Sequence, residues 1–80
     1  MSQRTDAIAE YMMGKGAKID NGSYDEMIVV WDKLLSRFPD DLLVKMCAVA
    51  VEEPGRMGID HIVKSTEGFV DMHFKMKGQQ

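Results

Sequence analysis

Seven apolar residues between Tyr24 and Phe38 place the strongest constraint on this chain. Tyr24, Met27, Ile28, Trp31, Leu34, Leu35 and Phe38 follow one another at steps of three, one, three, three, one and three. Those steps return to one side of a helix of 3.6 residues per turn, and a strand, with its period of two, cannot collect them on one face. Asp25, Asp32, Lys33 and Ser36 fall on the other side, and Val29 points outward. Ser23, with Glu26 three residues on, forms a capping box. Pro39 stops the helix just after Phe38, because it has no N–H to donate and disfavours helical geometry in the residue before it. A helix so marked must lay its stripe on other apolar elements.

The rest of the chain supplies them as further helices. Thr5 caps a first helix from about Thr5 to Met13, with Ala7, Ile8, Tyr11 and Met12 on one side and Gly14 or Gly16 as its left-handed end. A third runs from about Asp40 to Glu53, with Asp40 and Asp41 supplying cap and charge. Its residues Leu42, Leu43, Val44, Met46, Cys47, Val49 and Val51 surround the axis almost completely, the mark of a central helix. Periodicity alone leaves a buried strand open for Met46–Val51. The fourth segment, Ile59 to Lys77, admits two readings. Val70, Met72, Phe74 and Met76 alternate as in a hairpin through Thr66-Glu67-Gly68. A helix places Ile59, Ile62, Val63, Thr66, Phe69, Val70, His73, Phe74 and Met76 together, with favourable Asp60–Lys64 and Asp71–Lys75 pairs opposite. The helix accounts for more residues, and Gly68 is its weak point. The expected fold is all-α, about four short helices forming two αα-hairpins in one domain, 1–80.

From Gly22 to Asp41 the chain resembles the second helix of a tetratricopeptide repeat. The matching features are Gly22, the aromatic Tyr24 two residues on, Trp31, Leu35, Pro39 and Asp41. Met27 and Leu34 stand where that family prefers Ala, whose small side chain lets paired helices approach closely. The resemblance implies a scaffold that binds peptides or partner proteins. It covers about a quarter of the chain, and solenoids of this kind need about three repeats.

Few residues here have the spacing that chemistry requires. His61 and His73 lie twelve apart on different sides of the fourth helix, without the i,i+4 geometry of a helical metal pair. Gly14-Lys15-Gly16 follows a helix, whose C-terminal carbonyls repel anions, so it ends that helix and does not cradle phosphate. Cys47, in an apolar helix, reads as packing. No catalytic residue, metal or cofactor is expected, and the chain is expected not to be an enzyme.

Composition narrows the partners. Thirteen acids against ten bases give a formal charge of −3, which argues against a nucleic-acid surface. The alternative is a small helical nucleic-acid-binding regulator, with a helix-turn-helix around Phe38-Pro39-Asp40. There the acids opening the third helix would meet phosphates unfavourably. The longest apolar run, Met46–Val51, is far short of the roughly 20 residues of a membrane span. One cysteine and acid where a secretory leader needs an apolar core point to the cytoplasm. A domain this small buries only about 60–65% of its unfolded surface, and association often makes up the deficit. Eight Met residues suit an adaptable surface. Val29, Met13 and Met72 point away from the core, and Val44, Cys47 and Val51 form the surplus face of the third helix. The expectation is a protein–protein interaction module, a small adaptor, inhibitor or chaperone-like protein or a homodimer, binding through Val29, Val44, Cys47, Val51 and Met72.

Overall fold

The computed structural model describes residues 2–19, 22 and 24–78. They form α1 (Gln3–Gly14), α2 (Asp25–Leu34), α3 (Asp40–Ala50), α4 (Ile59–Ser65) and α5 (Glu67–Gly78), with no strand among the described residues. The strand alternatives for 46–51 and 70–76 therefore give way to helix.

Local chemistry explains where each helix begins and ends. Ser2, not Thr5, caps α1. Its hydroxyl accepts from the Thr5 N–H at 3.1 Å, and the Thr5 hydroxyl accepts from the Ser2 N–H at 3.1 Å. Thr5 thus fills the third helical position of a capping box, one turn later than the role expected of it. Gly16, at φ +100°, turns the chain out of α1, while the Ala17 N–H donates to Met12 O at 3.0 Å. The expected cap Ser23 lies outside the described residues, and Tyr24 occupies the N-cap of α2.

The second stripe continues past its helix. α2 stops at Leu34 and a turn carries Leu35 and Phe38 into the core. Pro39 then caps α3 through its carbonyl, which accepts from the Leu43 N–H at 2.9 Å. Asp40 and Asp41 are consequently first-turn charges and not caps, favourably placed at the positive end of α3.

The single helix expected over 59–77 is two. The break is at Thr66 (φ −122°, ψ 8°), not at Gly68. Thr66 is fully buried, and its hydroxyl donates to Ile62 O at 2.7 Å, taking the carbonyl that the helix ladder would use. Its N–H turns to Val63 O at 3.3 Å, and its carbonyl starts α5 by accepting from Val70 N–H at 3.1 Å.

Packing follows the spatial order α2, α1, α3, α4, with α1 against α3 the most extensive contact. The core joins Ile8, Tyr11 and Met12 of α1 to Leu42, Leu43, Met46 and Ala50 of α3, with Ile28, Leu35, Phe38, Ile62 and Val70 around them. Gly14 permits the α1–α3 approach: a Cβ there would lie 2.2 Å from Val51 Cγ2. α5 extends this body, which measures 45 × 26 × 15 Å, and buries only Val70.

Candidate interaction surface

Two polar clusters fix the helices that frame the surface. The first is Arg4, on the first turn of α1 and 14% exposed. Its Nε donates to Asp32 Oδ1 at 2.6 Å and its Nη2 to Leu35 O at 2.7 Å. Nη1 donates to Phe38 O and, at 3.3 Å, to Asp40 Oδ1. One planar guanidinium therefore satisfies carbonyls in the turn after α2 and ties both acidic helices to α1. Burial opposes the charge, but the bonds to Asp32 and Asp40 outweigh it and raise the Arg4 pKa above its ordinary value.

The second cluster centres on Tyr11. Its ring meets Trp31 of α2 at 6.2 Å and His61 of α4 at 5.9 Å. The hydroxyl donates to His61 Nδ1 at 2.6 Å and accepts from the Gly58 N–H at 3.3 Å. His61 Nε2 stands 3.2 Å from Pro54 O, which can only accept, so Nε2 carries the proton and Nδ1 receives the Tyr11 bond. Both ring nitrogens of His61 are thus engaged in holding the α3–α4 loop. Burial pushes the Tyr11 pKa up, against the lowering effect of the Gly58 bond.

Cys47 is buried, and burial raises its thiol from 9.0 to about 11, a rise that the positive charge of Arg4 opposes. It stays a protonated packing group at neutral pH. His73 packs edge-on against Phe74, with Nε2 buried and unpartnered. Among the described residues no three His, Cys, Asp or Glu side chains converge as a metal site. No described helix is long and apolar enough to cross a membrane.

The apolar surface lies elsewhere than the third helix. Val44 and Val51 are half-buried and Cys47 is buried, so these three form no open face. They line a crevice of about 320 Å³ between α1 and α3 with Ala7, Tyr11 and Ala48. A helix apolar nearly all round is covered here because α1 takes one side and α4 another. Val29, Met13 and Met72 are exposed, in accord with their reading. Sequence reasoning missed the larger part of the surface. Met27, Val30 and Leu34 are exposed along α2, Leu34 at 64%, and Phe74 and Met76 are exposed along α5.

The reason lies in the width of the α2 stripe. Its inner edge, Ile28 with Leu35 beyond, faces α1, and Trp31 sits half-buried at the margin, leaving Met27 and Leu34 on the far side. A seven-residue stripe broader than one neighbour can cover was the available signal. Phe38 meets Phe74 at 6.3 Å, which brings α5 against the end of α2. Searches for similar proteins return no matching family model, curated protein or solved structure.

Proposed function

We propose that this chain is a non-enzymatic protein–protein interaction module, of the adaptor, inhibitor or chaperone-like kind, that binds a protein partner or a second copy of itself. One observation carries the reading: among the described residues eight large apolar side chains are exposed, and seven of them belong to α2 and α5 (Met27, Val29, Val30, Leu34, Met72, Phe74, Met76). Singly scattered apolar side chains are ordinary, whereas runs along one helix mark an interface. Unbranched Met side chains adapt to differing partners at low cost.

The helix order supports the same reading. α1 packs on α2 and α3, and α3 on α4, which is the neighbour order expected if α1–α2 and α3–α4 act as two αα-hairpins. Met27 and Leu34, where the tetratricopeptide pattern favours Ala, are turned to solvent. The one thiol, buried and protonated, suits a reducing cytoplasmic setting.

Affinity capture with the full chain tests this, beside solution mass at high concentration. The expected result is a retained protein or a dimer, lost when Leu34→Glu and Met76→Glu are introduced together and circular dichroism stays unchanged. A monomer that retains nothing sinks the proposal.

A further inference from the structure

We propose that α2 is a self-complementary helix, and that its exposed face seats the α2 of a second copy in antiparallel orientation. The inference rests on the interaction-module reading and names its partner. Three observations carry it. First, Met27, Val30 and Leu34 recur at three and four residues, a single seam along the exposed side of α2. Second, α2 lies on the outside of the array, packed mainly on α1, so a second helix can reach the seam. Third, Glu26 and Lys33, both exposed, stand seven residues apart and flank the seam on the same side.

The charge order selects the occupant. Asp25 and Glu26 open α2 and Lys33 closes it. A two-fold axis at the level of Val30 sets Met27 opposite Leu34 of the second copy, and Glu26 opposite Lys33 of the second copy, each within about 1.5 Å of level, one residue's rise. Val30 then faces Val30 of the second copy at the axis. Each acid meets a base twice over, and the two helix dipoles run opposed. A parallel copy would place the Glu26 and Lys33 flanks of the two helices on opposite sides of the seam, so neither charge pair would form. A partner of uniform charge would meet one favourable and one unfavourable end. Only the antiparallel copy satisfies both ends with the residues present.

The ten-residue helix also sets the strength. It is about 15 Å long, and its seam is small beside the roughly 800 Å² per partner of a standard interface. Self-association belongs in the range of about 10 µM to 1 mM.

Sedimentation of the full chain from about 5 µM to 1 mM tests it, because even a constant of about 1 mM leaves about half of the chain dimeric at the top of that range. The mass should rise from 9.0 kDa toward twice that value. Emission from Trp31, the only tryptophan and half-buried at the seam's margin, should shift over the same range. Val30→Glu should stay monomeric with unchanged circular dichroism. Glu26→Lys alone and Lys33→Glu alone should each weaken association about tenfold, since two pairs become like-charged in each symmetric dimer. An equal mixture of those two variants should restore it, and so should both changes made in one chain. The restoration cannot come from altered folding, which each variant would carry into the mixture.

A wild-type chain monomeric to the top of the range overturns the inference. So does a dimer indifferent to Val30→Glu, or a mixture that fails to recover. If the monomer still captures a protein through α2 or α5, only the antiparallel pairing falls. If it captures nothing, the interaction-module reading falls with it.

Discussion

α3 and α5 have nearly the same length and both are rich in apolar residues, yet they meet opposite fates. Five of the eleven residues of α3 are buried, against one of the twelve of α5. α3 has a helix on two sides, and Gly14 lets α1 come close to Val51. α5 follows the Thr66 break and meets the body through Val70, the Phe38–Phe74 contact and Lys45, whose ammonium lies 4.9 Å from the Phe69 ring centre. Apolar content therefore does not decide burial in so small a domain. Neighbours do, and there are too few of them to cover every apolar face. What stays uncovered becomes the surface available to a partner.

The sharpest way to break this contrast is to truncate a side chain at its buried end. Leu43→Ala should cost about 3 kcal/mol or more, because the fully buried site leaves a cavity among α1 and α3 side chains. Urea denaturation followed by circular dichroism measures it, and a loss below about 1 kcal/mol would mean that the centre is no better packed than the arm. Next in size, Arg4→Ala should cost about 1–3 kcal/mol, because the Phe38 carbonyl loses its donor while the Leu35 carbonyl keeps only the Phe38 N–H at 3.1 Å. Arg4→Lys should recover little of it, since a point charge cannot replace the fork.

Alkali should loosen the same centre. The Cys47 thiol titrates near 9.0 when unfolded and at about 11 when folded, so the folded state holds its proton more tightly. Its contribution is complete below pH 9 and is lost as pH rises through about 11, a change of about 2–3 kcal/mol. The stability difference between wild type and Cys47→Ala should shrink by that amount between pH 8 and 11, and a constant difference would refute the effect. The smallest change belongs to α5: Met76→Ala, at an exposed site, should alter stability by no more than about 0.5 kcal/mol. Hydrogen exchange sharpens the contrast further, with α5 amides expected to exchange well before those of α3.

Much of the architecture was legible in the residues because it depends on neighbours along the chain. Helical spacing placed α1, α2 and α3, and Pro39 marked the passage from the second stripe to the third helix. The break at Thr66 was hidden, since the pattern places Thr66 on the apolar side of a continuous helix and does not report that its hydroxyl takes the Ile62 carbonyl from the backbone ladder. The surface was read less well. Val29 and Met72 stand exposed as their spacing implies, while Val44, Cys47 and Val51 pack between α1 and α3. Periodicity reports which side of a helix is apolar, and it is silent on which side has a neighbour.

By itself the sequence determined the helix of the second stripe, favoured helix over strand in the other segments, and named the pool of residues from which the core is drawn. Hydrogen bonding and side-chain period act within a few residues, and those rules are written locally. The tertiary structure alone decided that Arg4 reaches across to Leu35 and Phe38, that Tyr11 joins α2 to α4, and that Met27, Val30 and Leu34 remain uncovered. Those outcomes depend on contacts between residues 20 to 50 positions apart, or on their absence. Only the way the helices stack settles them.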